Sequence, residues 1–440
     1  MNTSRRDILR GAGLLATVLP LQSALAADTP RPTTVSGAFE FNNWASLRNE
    51  FDLDYSWRNF AGFLLASHPR IVAQDIEYHR IQLNRNPANY LLEAWGLQEE
   101  ARKWAGKYFG VTPEQIGLTE NTTMGLATLY NGISIKPGQE VLTTEHEHYS
   151  SHTSLQYRAE REGFRINTIR LYDAPEDASA DEMLDRISKN ITSKTRVLAL
   201  TWVHSGSSVK LPVDEVGKLV KKLNQGRDDD DRILYCVDGV HGFGVENMNF
   251  DEMGCDFFVA GTHKWMFGPS GTGIMCSRET ELNFISPTIP PFNFTGKEVF
   301  GPLMTPGGFH TFEHRWALRK AFEFHLQLGK ENVETRIHFL NTYLKDRLNE
   351  VGGLELATPM STDLSAGFTF FRVPGRTVEE VQKVMQDHKI IVSPAHRDAG
   401  PVVRMSPGLL NSTEEIDEAV EILREIAQGR SALPDVRQLS

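Results

Sequence analysis

The sequence predicts an α/β protein: a large domain built on a mostly parallel sheet, followed by a small α+β C-terminal domain. Three observations carry that prediction. Short apolar runs alternate with helix-like stretches from about residue 60 to 315, those runs are apolar on both faces, and their reactive side chains all fall at one end. Strands covered by helices on both sides read this way.

The chain opens with SRRDILRGAGLLATVLPLQSALAAD, in which Arg5 and Arg6 precede an apolar run from Gly11 to Leu25 and a small-x-small cleavage pattern at 24–26. This reads as a twin-arginine secretory signal over 1–26, handled by the twin-arginine translocase, and predicts a periplasmic mature protein. That route carries folded proteins and suits a cofactor inserted before export. The run is too short and glycine-rich for a spanning helix, and no later segment has the ~20 unbroken apolar residues that a span requires.

An N-terminal segment is expected over 27–60, the large domain over 61–315 and the small one over 316–440. Within the large domain EVLTTE (140–145), RVLALTWV (196–203), RILYCVDG (232–239) and DFFVAGT (256–262) read as strands. LPVDEVGKLVKKLNQG (211–226), with Pro212 near its start and Gly226 past its end, reads as a crossover helix. After 315 come a long helical stretch, a strand at 366–373, a helix near 377–388, strands near 389–393 and 402–406, and a last helix from Ser412. The acidic run Asp228 to Asp231 is a solvated turn.

The formal charge of −11 includes +2 from the signal (Arg5, Arg6 and Arg10 against Asp7), leaving −13 on the rest. An acidic chain disfavours nucleic-acid binding, which needs a basic surface. Cys236, Cys255 and Cys276 sit in or beside apolar strand-like runs and are expected as buried thiols, with at most one disulfide.

Ligands of an open parallel sheet sit beyond the carboxyl ends of its strands. Those ends carry His146 and His148, His204 and Ser205, Asp238 and His241, and His263 and Lys264. Only about seven residues separate Lys264 from the next strand, GTGIMCS, so that strand must return antiparallel, placing Lys264 in a turn at the sheet edge. Upstream, TENTT puts Asn121, Thr122 and Thr123 at the start of a helix, where free amides and hydroxyls suit a phosphate. Asn121 as a simple helix cap explains that stretch equally well when taken alone. A lysine in a dry setting loses its proton readily and attacks aldehydes. Amine, phosphate pocket and strand-end carboxylate together suit pyridoxal 5'-phosphate (PLP), whose aldehyde, phosphate and ring nitrogen need those three groups.

VDGVHGFG followed by CDFFVAGTHKWMFGPSGTG, with TENTT upstream and VVRMSPGLLNSTEEID downstream, resembles the class V aminotransferases of PLP fold type I, in the isopenicillin-N-epimerase-like branch beside the cysteine desulfurases. The resemblance runs from FEFNNWAS (39–46) to the last helix. It implies a seven-stranded sheet, a homodimer with its sites at the subunit interface, and roles for particular residues. Lys264 would carry the cofactor as a Schiff base and move the α-proton, and Asp238 would pair with the ring nitrogen. His146 would stack on the ring, with His148 the other candidate. His241 and Ser205 would meet the phenolic oxygen. Thr122, Thr123 and His263 would hold the phosphate, and Arg404, with Asn43 nearby, the substrate α-carboxylate. Phe309 and His310 replace a Gly-Thr pair whose threonine reaches the partner's phosphate, so that contact falls to His310 or Thr311, if it is made.

His146 and His148 also form a His-x-His pair, but no third metal ligand stands at a suitable spacing, and no metal is expected. Trp202 and Trp265 are read as packing. A cysteine desulfurase needs a mobile cysteine in the small domain, and residues 277–440 contain none. Transamination, epimerisation and lyase chemistry remain, as does a non-catalytic PLP-binding role. The export signal, within this family, resembles that of periplasmic tailoring enzymes of pyoverdine maturation. This implies a siderophore-peptide substrate with a glutamate-derived side group.

Overall fold

Seven strands of the computed structural model, which describes residues 43–293 and 295–430, form one sheet. They are β1 (Ile116–Thr119), β2 (Glu140–Thr144), β3 (Arg165–Ile169), β4 (Thr195–Thr201), β5 (Leu234–Asp238), β6 (Phe257–Gly261) and β7 (Gly273–Ser277). Their order is β1-β7-β6-β5-β4-β2-β3, with β7 antiparallel to both neighbours and every other pair parallel. The signal and the first residues of the N-terminal segment lie outside the described residues.

Six of these strands are buried at every position, which is why their sequences run apolar without alternation. The exception is the edge strand β3, whose RINTI is largely open to solvent and gives no apolar run. The antiparallel return of β7 is as expected, but Lys264 is not at the sheet edge. β1 pairs outside β7, from Ile116 opposite Cys276 to Thr119 opposite Gly273, and moves the lysine turn into the sheet's interior. Four residues with a glycine among them are too weak a strand signal to anticipate that pairing.

The helices that matter for the site are α1 (Arg70–Arg85), α2 (Leu97–Phe109), α3 (Thr122–Gly132), α4 (Tyr149–Glu162), α5 (Val213–Leu223), α6 (Phe312–Leu328), α7 (Lys330–Asn349), α8 (Val378–Asp387) and α9 (Thr413–Ala427). α3 lies close on the sheet: a Cβ on Gly125 would come within 2.6 Å of Val259 Cγ1. The expected single helical stretch after 315 breaks at Gly329, whose φ of +83° ends α6 and turns the chain into α7. α6 packs on α1 and α2, and Arg319 reaches Asp75 at 2.7 Å in a buried ion pair. The expected boundary at 315/316 therefore falls inside a helix that packs with the large sheet's own layer.

The second sheet holds β8 (Glu355–Leu356), β9 (Thr369–Arg372), β10 (Ser393–Arg397) and β11 (Gly400–Met405) in the antiparallel order β10-β11-β9-β8. Residues of α7, α8 and α9 close over it in a core of their own. α8 and α9 start on capping boxes, Thr377 with Glu380 and Ser412 with Glu415. The pairing of Ser393 with Arg404 fixes where the Arg404 guanidinium points. A two-residue parallel ladder, Arg58–Asn59 with Ile390–Ile391, ties the N-terminal segment to this half.

Candidate active site

The parallel register sets Thr201 and Asp238 side by side at the carboxyl ends of β4 and β5, with Val259 of β6 beside Asp238. Asp238 is buried, and its Oδ1 accepts the Val240 backbone N–H at 3.2 Å, while no protein donor among the described residues reaches Oδ2. Burial pushes this carboxyl up to about 6, against the Val240 hydrogen bond and the positive charge of Lys264. The turn that follows needs Gly239, because a Cβ there would overlap the Phe258 ring at 1.9 Å.

Lys264 stands three residues past β6. Its turn is closed by Phe267 N–H to Lys264 O at 3.1 Å and Gly268 N–H to Thr262 O at 2.8 Å, and it holds Phe267 at φ +53°. A bulky residue in the left-handed region costs about 1–3 kcal/mol, and such strain gathers where geometry serves a site. Burial pushes the Lys264 amine down to about 8, Asp238 opposing and Arg404 assisting. Among the described residues its one hydrogen-bond contact is His241 Nε2 at 3.3 Å.

The two groups face one cavity, which Thr122, Thr123, Ser205, His241 and His263 also line. At its helix end Asn121 caps α3 by accepting the Met124 N–H at 2.9 Å, and Thr122 Oγ1 accepts the Gly261 N–H at 2.8 Å. Next to the lining residue Ser205, Arg404 donates to Ser393 Oγ at 2.7 Å and to the Ser205 carbonyl at 3.2 Å. Its guanidinium lies 4.8 Å over the Phe63 ring, and its Nε is buried without a partner. No carboxylate among the described residues is within ion-pair distance of it.

Three expected residues stand elsewhere. His146 is turned away from the cavity: Nδ1 pairs with Asp398 at 2.7 Å, Nε2 accepts the Leu171 N–H at 3.0 Å, and its ring stacks on Tyr172 at 3.9 Å. The imidazole that lines the cavity is His148, which caps α4 by accepting the Ser150 N–H. Strand alternation would put residues 146 and 148 on one face, but the chain leaves β2 in a turn at 145–147 and His148 already caps α4, so the two imidazoles point different ways. Asn43 is an exposed cap of the first short helix, accepting the Ser46 N–H at 3.3 Å, and lines no cavity with Arg404. His310 leans on Phe312 and contacts Gly308 O at 3.2 Å, away from the cavity within the chain.

Two residues went unread in the sequence. Arg397 donates to Ser205 Oγ at 2.8 Å and to the Glu147 carbonyl at 2.7 Å, so a second guanidinium sits beside Arg404 and lowers it further. Glu147 is buried under the cavity, accepts from Thr144 Oγ1 at 2.7 Å and from Thr201 Oγ1, and is pushed up to about 7 by burial. Proximity to Arg404 is the signal for the first. A second acidic residue in EHEH gives none for the other.

The donor set fits PLP. A dry amine poised near neutrality, a buried carboxylate with one oxygen free, and helix amides flanked by threonines are the three attachments that cofactor needs. In a family comparison, residues 70–418 match the model described as Aminotransferase class-V. Isopenicillin N epimerase of Streptomyces clavuligerus is 24% identical over 87% of this chain and 98% of its own length. A probable cysteine desulfurase of Pyrococcus abyssi is 24% identical over 83% and 92%. Among solved structures, cysteine desulfurase from Thermococcus onnurineus superposes with a TM-score of 0.75 at 22% identity, covering 87% of this chain and 98% of that one. A variant of C-DES with glycine covalently linked to its PLP cofactor gives 0.77 at 18%, covering 86% and 99%. The chain belongs to the class V aminotransferase family, whose members are PLP-dependent enzymes of fold type I.

Proposed function

We propose that the protein is an exported PLP-dependent enzyme that tailors an amino-acid side group on a siderophore precursor, the glutamate-derived group of a pyoverdine type. The observation that carries the enzymatic part is that Lys264 and Asp238 face one cavity, with a carboxylate-free Arg404 bonded to Ser205 at its wall and close enough to Lys264 to act on its charge. A protein that only stored the cofactor would have no use for the arginine.

When bound, the cofactor supplies an aldehyde and an electron-poor ring that stabilises a carbanion at the substrate α-carbon. The chain's own residues do the rest. Lys264 Nζ would hold the cofactor's aldehyde carbon and, as a free amine, would take the proton from the substrate α-carbon. Asp238 would keep a proton on the ring nitrogen. Arg404, with Arg397 beside it, grips the α-carboxylate through charge-assisted hydrogen bonds. His148 would lie against the ring, and the amides at the start of α3 with Thr122, Thr123 and His263 would receive the phosphate.

The large substrate is supported by a second chamber of about 520 Å³ that opens at Lys264. Tyr55, Trp57, Phe63, Trp265 and Phe267 line it, which suits a planar apolar group attached to the reacting amino acid. Desulfuration through a protein persulfide is disfavoured because Cys236 and Cys276 in the sheet and Cys255 just before β6 are all free, buried and held as thiols by burial. The homodimer is supported by exposed Met124, Tyr149, Phe292 and Phe309. A second reading, epimerase or lyase on the same residues, is favoured by the isopenicillin N epimerase relatives.

Incubating the purified protein with pyoverdine precursors and reading products by mass spectrometry tests the proposal. A mass change confined to the glutamate-derived group supports it. Unchanged precursors together with racemisation of free amino acids would favour the epimerase, and no turnover of either would leave a carrier.

A further inference from the structure

Behind Lys264 stands a two-step hydrogen-bond chain through a tryptophan whose sequence suggests only packing. The indole Nε1 of Trp265 lies 3.3 Å from Nδ1 of His241, and Nε2 of that imidazole lies 3.3 Å from Lys264 Nζ. An indole N–H can only donate, so Nδ1 of His241 is the acceptor and carries no hydrogen. The ring is buried, and Lys264, Arg404, Arg397 and His148 all oppose a second proton on it, holding it well below the usual histidine range. A neutral imidazole with a bare Nδ1 has its hydrogen on Nε2. Nε2 therefore faces Lys264 as a donor. An ammonium has three donors and no acceptor, whereas a free amine has a lone pair.

We infer that Trp265 is a positioning residue: its indole N–H fixes His241 in the Nε2–H tautomer, which presents to Lys264 a donor that only the free amine can accept. The opposite tautomer would offer Nε2 as a lone pair and stabilise the ammonium. With the cofactor in place, the same hydrogen is available to an oxygen at that position.

The surroundings hold both rings to this arrangement. The Trp265 carbonyl accepts from His325 Nε2 at 2.8 Å, and its indole is pressed so closely by Gly367 that a Cβ there would come within 2.6 Å. Phe368 meets the indole edge-on at 5.6 Å and the His241 imidazole at 4.7 Å. Neither ring can turn to exchange partners without displacing the other.

The inference rests on Lys264 being the cofactor-bearing amine, but its first test does not. Histidine-selective ¹⁵N labelling of the full chain, with His241 assigned by the signal lost in His241→Gln, reads the tautomer directly, with and without cofactor. The expected pattern is a neutral ring protonated at Nε2 in both states. An Nδ1–H or doubly protonated ring overturns the inference, whatever Lys264 does. The second test measures pyridoxal phosphate capture against pH by cofactor-stripped protein, in wild type and in Trp265→Phe. The groups facing the pair, Asp238, Arg404, Arg397, His148 and His263, are common to both proteins. Loss of the indole N–H should let both tautomers form and move the capture midpoint up by about one unit, ~10-fold slower at pH 7. An unchanged tautomer and midpoint in a folded variant overturn the role of Trp265. Should that variant not fold, the wild-type spectrum decides alone. Failure of wild-type protein to capture cofactor at all would instead sink the reading of Lys264.

Discussion

Two lysines in this protein are buried to similar effect and do different work. Lys264 and Lys345 are each pushed down to about 8 by burial. Lys345 donates to Pro359 O at 2.9 Å, Met360 O at 3.0 Å and Ser365 Oγ at 2.7 Å, so all three of its N–H bonds have an acceptor. That geometry holds an ammonium and staples the chain after β8. Lys264 has a single partner, on the donor face of His241, and an open cavity beyond. Burial alone does not make a nucleophile; a buried amine short of acceptors is one.

Replacing the amines should break that comparison most sharply. Lys264→Ala should abolish covalent cofactor binding and turnover altogether, read by absorbance and by borohydride trapping; retained covalent cofactor would refute its role. Asp238→Ala comes next. It should lower activity on the order of 10³-fold, while the stability cost is limited to the single Val240 N–H contact that Oδ1 supplies, about 1–3 kcal/mol. Arg404→Ala should chiefly weaken substrate binding, by ~2–4 kcal/mol, and unchanged affinity would remove it from the carboxylate site. Lys345→Met should do nothing to capture, yet cost about 2–4 kcal/mol of stability by leaving the Pro359 carbonyl, the Ser365 hydroxyl and the part-buried Met360 carbonyl without their donor. Denaturant melts and capture rates on the same preparation distinguish these two lysine variants. The pH profile sharpens the contrast further. The free amine of Lys264 is present above its lowered value and lost below it, so capture should rise with pH to a plateau beyond about 8.

Much of the site is legible in the sequence because the strands are buried on both faces. LYCVD and FFVAG leave no place for a polar residue except where the sheet ends, so Asp238, His241, His263 and Lys264 stand out as strand-end residues from the apolar pattern alone. The tight return after Lys264 is legible for the same reason. What the sequence leaves open is decided by facing and by long-range pairing. EHEH does not say which imidazole looks inward, and Asp398, 252 residues further on, takes His146 out of the cavity. β1 is too short to be read, and its pairing with β7 decides that Lys264 lies inside the sheet. β10 escapes notice because Pro394, His396 and Arg397 interrupt its apolar pattern, and Arg397 goes with it. Trp265 looks like packing because hydrophobic burial hides a single directional N–H.

The measurement that bears most directly on the role of Lys264 is borohydride reduction of the purified holoprotein followed by peptide mass spectrometry. One phosphopyridoxyl group per chain is expected, on the peptide containing Lys264, and none on Lys345. Label on Lys345 or another lysine, or no label on a protein that nevertheless turns over its substrate, would contradict it.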